Sequence, residues 1–238
     1  MALPVSFLAH LRAEGYHPRS DKHSKALARA IVEDLVGRCN KIASDAASNR
    51  IVFRVNHQLL VGSDEWKTDL AIGTAPANGI PKGAPRVAGV AEAIPTTVRI
   101  AVEAKSVMTK HTGARKNRKR DLEPHHQHVH NYSRNAIAAG ITLVNSAVIF
   151  RSPLCDDVSI HRQPEDAKGV IDLMRDVRMS PGPGDPGIDA LSVVVVDMDN
   201  LELADTSYVE TRPAPRPGDP LHWGTFIERI CSAYDERF

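Results

Sequence analysis

The feature that most constrains this chain is the run Leu191-Ser192-Val193-Val194-Val195-Val196. Successive strand side chains point to opposite faces, so a strand this apolar buries both of them. Ala190 to Asp197 therefore reads as a central strand inside a sheet covered on each side. The chain also offers the covering layers. Lys22 to Asn40 has helical spacing, with Leu27, Ala30, Ile31 and Leu35 on one face and Ser20 and Asp21 ahead of it as caps. Pro164 to Met179 holds a short helix, and Trp223 to Tyr234 has helical spacing again. Glu123 to Ala139 is predicted as a helix with Pro124 in its first turn and Gly140 as its stop.

Further strands are expected at Ile51 to Val61, Trp66 to Ile72, Thr97 to Val107 and Leu143 to Phe150. The first two form a hairpin across Gly62-Ser63-Asp64. Thr74 to Thr96 is punctuated by Pro76, Gly79, Pro81, Gly83, Pro85, Gly89 and Pro95, and reads as a long loop or insertion. Ser180 to Gly187 and Thr211 to Pro220 are Pro-rich loops. The expected fold class is α/β, a central mixed β-sheet flanked by helices. It forms one domain over 1–238, with a core at about 22–150, an insertion at 74–96 and a C-terminal extension at 151–238.

Composition narrows the function classes. The 238 residues are 42% hydrophobic and 25% charged, with 30 Lys and Arg against 29 Asp and Glu, a net charge of +1. That excludes disordered and collagen-like chains and a uniformly basic nucleic-acid coat, and leaves room for a local basic patch. The three cysteines, Cys39, Cys155 and Cys231, are scattered without a CxxC pair. A disulfide framework is not expected, and a reducing, cytoplasmic setting is. Met1 to His10 does not read as a signal peptide, and no apolar run approaches the roughly 18 residues of a membrane span.

The chemistry concentrates on two predicted strands. In Arg99-Ile100-Ala101-Val102-Glu103-Ala104-Lys105, alternation places Ile100, Val102 and Ala104 on one face and Arg99, Ala101, Glu103 and Lys105 on the other. In Trp66 to Ile72, Trp66, Leu70 and Ile72 share a face and Asp69 points away. Adjacent strands would set Asp69 beside Glu103. Two close carboxylates repel unless a cation lies between them, and a few hard oxygen ligands suit Mg²⁺, with Mn²⁺ as the expected substitute. An ammonium from Lys105 would orient a water and stabilise phosphorane charge.

Asp69 followed by Glu103-Ala104-Lys105 resembles the PD-(D/E)xK motif of restriction-endonuclease-like nucleases. The order helix, strand, strand with Asp, strand with ExK, helix, strand is similar too, over roughly Lys22 to Phe150. Thr68 stands where that motif has Pro. The resemblance implies a restriction-endonuclease-like core and a type II restriction-like enzyme that cuts double-stranded DNA; the long insertions, which offer surface for base recognition, favour a restriction or defence role over repair. It also implies Mg²⁺ held by Asp69, Glu103 and the Ala104 carbonyl, and Lys105 serving the attacking water. Glu33 on the upstream helix would be the accessory acid and ligand, with Asp34 as its alternative. A homodimer is the economical way to cut both strands.

Lys110, Arg115, Lys116, Arg118, Lys119 and Arg120 follow the ExK strand without an intervening acid. With Asn117 they suit contacts to DNA phosphates. Gln127 and Tyr132 are similar to a Gln and Tyr that some nucleases of this superfamily carry on the next helix. His125, His126, His128 and His130 form a second cluster. His126 and His130, four apart, would share a helix face and offer a transition-metal site, with His111 or Asp121 as a further ligand. Two other readings follow: a DNA-binding module of the same fold that does not cut, and a zinc protein built on His125 to His130. The chain has no GxxxxGK[ST], GxGxxG or GxSxG.

Overall fold

A computed structural model describes residues 3–61, 64–154 and 157–238. The elements in chain order are α1 (Val5–Glu14), α2 (Lys22–Arg38), α3 (Asn40–Ala47), β1 (Ile51–Val61), β2 (Asp64–Thr74), β3 (Arg86–Val87), β4 (Val90–Glu92), β5 (Val98–Val107), α4 (His111–Leu122), α5 (His125–Tyr132), β6 (Ile137–Asn145), β7 (Ile149–Arg151), β8 (Val158–Ile160), α6 (Glu165–Arg175), β9 (Ala190–Asp197), β10 (Ser207–Tyr208) and α7 (Trp223–Arg237). The Gly62-Ser63 part of the expected turn and Cys155 lie outside the described residues.

Among the described residues the main sheet runs β10-β9-β6-β5-β2-β1-β4-β3. β1, β2 and β5 are antiparallel to their neighbours in that trio, while β5, β6 and β9 are parallel. The valine run behaves as its pattern requires. Val194 and Val196 pack into the core beneath α2 and α7, and Leu191, Val193 and Val195 into the core beneath α4 and α6. A third cluster joins Ala101 and Ala71 to Val129 of α5. The fold is thus α/β with a mixed sheet flanked by helices.

Four expectations are corrected. The segment from Thr74 to Thr96 is not all loop: β4 pairs parallel with β1 and β3 extends the edge beyond it. The helix expected from Glu123 to Ala139 ends at Tyr132, and Ile137 to Asn145 is a fully buried strand. Gly140 lies inside that strand, where a Cβ would sit 3.0 Å from Leu191 and 3.2 Å from Leu122. Its work is close packing of α4 and β9, not a helix stop. Alternation also fails twice. Gly73 and Val98 pair across a register shift, which makes Arg99 a bulge residue. Gly73 is forced there, because a Cβ would lie 1.9 Å from the Thr97 carbonyl oxygen. Arg99 consequently leaves the Ala101 face and meets Asp45 of α3 at 2.9 Å. In β1, Asn56 takes a positive φ of 52°. Beyond it Leu59 and Trp66 turn toward α5, while Val55 and Leu70 stay beneath α2.

The last correction concerns the cysteines. Cys39, at the break between α2 and α3, and Cys231 of α7 form a disulfide with Cα atoms 5.3 Å apart. They are 192 residues apart in sequence, so spacing held no sign of the pairing. The bond removes the composition argument for a reducing compartment. Among the described residues no helix is long and apolar enough to cross a membrane.

Candidate active site

β2 and β5 pair regularly from Ile72 to Leu70, with Leu70 opposite Val102. Beyond that point side chains of β2 take over the hydrogen bonds. Thr68 Oγ1 donates to the Val102 carbonyl at 2.8 Å, and Asp69 Oδ2 accepts the Ala104 N–H at 2.8 Å. A β2 side chain that reaches the backbone of β5 marks the place where the strands part. Asp69, Glu103 and Lys105 all stand there, on the face covered by α4 and α5.

Glu103 is 6% exposed. One of its oxygens, Oε1, pairs with Lys105 Nζ; the other, Oε2, is buried with no hydrogen-bond partner. Burial, then the neighbouring Asp69 carboxylate, pushes Glu103 up to about 7. Burial also raises Asp69, against the Ala104 N–H and the Lys105 charge. Two poorly solvated carboxylates thus lie together, with Lys105 paired to Glu103 and Lys105 and Lys67 both acting on Asp69. An orphaned carboxylate oxygen beside a second raised acid is the donor set a hard divalent cation would satisfy.

The accessory acids do not join them. Glu33 is exposed and accepts the Ser6 hydroxyl at 2.6 Å. Asp34 accepts Trp223 Nε1–H at 2.6 Å and pairs with Arg38 at 3.3 Å. α2 approaches the ExK strand through its first turns: His23, Ser24 and Leu27 line a small pocket with Ala104, Lys105 and Ser106. Glu33 lies ten residues past His23, about 15 Å along the helix.

The histidine cluster is divided among separate tasks. His125 is fully buried; its Nε2–H donates to the Ala101 carbonyl at 3.2 Å and its Nδ1 accepts Trp66 Nε1–H at 3.3 Å. Burial pushes it down to about 4, so the ring is neutral. His128 stacks on Trp66 with centroids 4.0 Å apart. His130 meets Asp189 at 3.2 Å, and the same carboxylate holds Arg237 of α7. His126 and His130 have ring centroids 6.1 Å apart. Among the described residues no group of three or more His, Cys, Asp or Glu is placed to hold a metal. The four rings of this two-turn helix face different neighbours, and the structure does not bring three of them together around one point.

No family model, curated protein or solved structure matches this chain. The site rests on its own geometry.

The basic segment forms α4 and divides by helical phase. Lys110, Lys116, Asn117 and Arg120 are exposed, as is Gln127 on α5. The others turn to the protein. Arg115 lies across Gly169 of α6, where a Cβ would meet its Nη1 at 2.1 Å. Arg118 donates to the Ser106 carbonyl at 3.2 Å and pairs with Asp121 at 3.0 Å. Lys119 reaches Glu123 at 3.6 Å. Tyr132 accepts the Val98 N–H at 3.3 Å, away from Gln127.

Five residues to which sequence reasoning gave no part in this site support it. Thr68 pins Val102, and His125 and Trp66 floor the face on which Glu103 and Lys105 stand. Tyr16 and Ser106 are hydrogen-bonded at 2.5 Å one residue beyond Lys105. Thr68 alone had a signal, as a hydroxyl next to the suspected acid.

Proposed function

We propose that this chain is a metal-dependent nuclease that hydrolyses phosphodiester bonds in double-stranded DNA. The observation that carries the reading is the Glu103 carboxylate: buried, raised, paired to Lys105 through one oxygen only, and facing Asp69 where β2 and β5 part. A structural ion pair would satisfy both oxygens. The element order α2, β1, β2, β5, α4 and α5, β6 also fits the restriction-endonuclease-like core that the DxnExK pattern implies.

Asp69 and Glu103, with the Ala104 carbonyl, are the groups that would hold Mg²⁺ or Mn²⁺. A bound ion of that kind polarises the scissile phosphate and lowers the pKa of its water. Asp69 Oδ2, fixed by the Ala104 N–H, keeps the two acids in register across the gap. Lys105, held by Glu103, presents its ammonium where a water or a developing phosphorane oxygen would be hydrogen-bonded. Neither Glu33 nor Asp34 takes part. Lys110, Lys116, Asn117 and Arg120 offer exposed donors to DNA phosphates, and Gln127 extends that row. A restriction or defence role follows from the size of the 74–96 insertion, which offers surface for base recognition. Cutting both strands calls for a second copy.

The test is cleavage of supercoiled plasmid, unmodified and cytosine-modified, by the wild type and Lys105→Ala, with Mg²⁺, Mn²⁺ or EDTA. Nicking or linear product that needs the metal and disappears in the variant is the expected result. A folded wild type that binds DNA and never cuts it would instead establish the binding module.

A further inference from the structure

His111 and His161 stand apart from the cleft and from the α5 histidines. They are 3% and 6% exposed, with ring centroids 4.6 Å apart and planes at 74°. His111 Nε2 lies 2.7 Å from the Asn145 carbonyl oxygen, and His161 Nδ1 lies 2.9 Å from the Ala147 carbonyl oxygen. A carbonyl only accepts, so each of those nitrogens carries the ring hydrogen. A neutral ring then presents a lone pair at its remaining nitrogen, Nδ1 in His111 and Nε2 in His161. Both are buried with no hydrogen-bond partner.

Two orphaned acceptors in one buried pair are costly unless something satisfies them. A ring whose other N–H is fixed on a backbone carbonyl is also the arrangement metal-bound histidines adopt, because it sets the tautomer and aims the lone pair. An open pocket of about 420 Å³ reaches the pair and is lined also by Lys110, Thr112, Ser159 and Asp166. Asp166 is engaged already, accepting the Arg162 N–H at 2.9 Å. No third protein ligand joins the histidines among the described residues.

We infer that His111 and His161 form a two-histidine site for a divalent transition metal, Zn²⁺ being the natural occupant, with its other positions filled by water or an exogenous ligand. Imidazole pairs select such ions, whereas the all-oxygen cleft at Asp69 and Glu103 suits Mg²⁺. The two sites differ in donor chemistry as well as place. This one lies where α4 begins and where the chain leaves β6, so an occupied site would clamp the start of the basic helix to the β8 segment. The inference does not depend on the nuclease reading.

The test uses the full chain carrying Glu103→Gln, which disables the carboxylate cleft. The chain is stripped with EDTA, then titrated with Zn²⁺ against a chromogenic chelator and with Co²⁺ by visible absorption. One Zn²⁺ per chain is expected, with Co²⁺ bands of nitrogen ligation. His161→Gln and His111→Gln should each weaken Zn²⁺ by at least about tenfold, while His128→Gln, on the Trp66 stack, should leave it unchanged. No Zn²⁺ bound by the folded chain, or undiminished affinity in folded His161→Gln, overturns the site. If both histidine variants fail to fold, imidazole ¹⁵N spectra of the Glu103→Gln chain decide. Shifts confined to His111 and His161 on adding Zn²⁺ support the site, and their absence overturns it.

Discussion

β5 carries two buried charge clusters, and they are built to opposite ends. At its start the bulged Arg99 meets Asp45, whose carboxylate also takes Arg50 at 2.8 Å and the Tyr234 hydroxyl at 2.7 Å. One acid is surrounded by three donors from three other places in the fold. Further along, Glu103 pairs with Lys105 through one oxygen, Lys105 and Lys67 act on Asp69 without an ion pair, and Glu103 Oε2 has no partner. The first cluster closes on itself and ties α3, β5 and α7 together. The second is short of donors. Burial of an incompletely satisfied group is unfavourable for folding alone. Its presence beside a satisfied cluster on the same strand points to a ligand rather than to poor packing.

The largest expected effect tests that contrast directly. Glu103→Gln should reduce metal-dependent cleavage by about 10³-fold or more, the scale for removing a group that acts on the reacting atoms. The folded state should survive, since a neutral amide suits the site better than an unmatched carboxylate. Nicking rates on supercoiled plasmid, with circular dichroism as the fold check, measure both. Asp45→Asn should do the reverse. Removing one partner of a satisfied buried cluster costs about 3 kcal/mol of stability, leaving Arg99 and Arg50 facing each other. Urea midpoints would show the loss, while the rate per folded molecule should hold. A cleavage defect in Asp45→Asn as large as that of Glu103→Gln would collapse the distinction between the two ends.

The sequence carried this contrast only halfway. β1, β5, β9 and α2 were legible because their hydrophobic periods are strong and their ends are marked by Gly, Pro or polar residues. Asp69, Glu103 and Lys105 were legible as a spaced set of acids and a lysine. Arg99 was misplaced because alternation assumes a regular pleat. The bulge that breaks it depends on Gly73 and Thr97, one of them on the neighbouring strand. Trp66 was misplaced for the same reason, through the positive φ of Asn56. Glu33 failed as an accessory acid because helical phase says which residues share a face, not which turn of the helix meets the strand end. The Cys39–Cys231 bond and the His111–His161 pair join distant segments, and no local pattern records such contacts.

pH offers a smaller, complementary effect. An unfolded chain loses the Glu103 proton near the ordinary value of 4.5, whereas the folded chain holds it to about 7. The unfolded state is therefore favoured progressively as pH rises between those values, and metal-free stability should fall across that window and level off above it. The drop should be on the order of 3 kcal/mol. Asp69, also raised, acts in the same direction. Denaturant midpoints of the EDTA-treated chain from pH 4 to 8 would show the slope, and Glu103→Gln should flatten most of it. Asp45→Asn should leave it in place, which separates the two clusters by a measurement independent of catalysis.

The smallest effect concerns how α4 would meet DNA if the proposed function holds. Lys116 and Arg120 are exposed, while Arg115 lies on Gly169 and Arg118 holds the Ser106 carbonyl. If phosphate contact belongs to the exposed row, Lys116→Ala with Arg120→Ala should weaken DNA binding about tenfold near 0.1 M salt. The slope of log K against log salt should fall by about 2, one for each released counterion. Arg118→Ala removes a guanidinium whose hydrogen bonds are made within the protein, so its slope should stay near the wild type. Equal salt slopes for the two variants would mean that Arg118 leaves Ser106 to reach the duplex. The strand end holding Lys105 would then rearrange on binding, and the open state of the Glu103 cluster would describe the free protein alone.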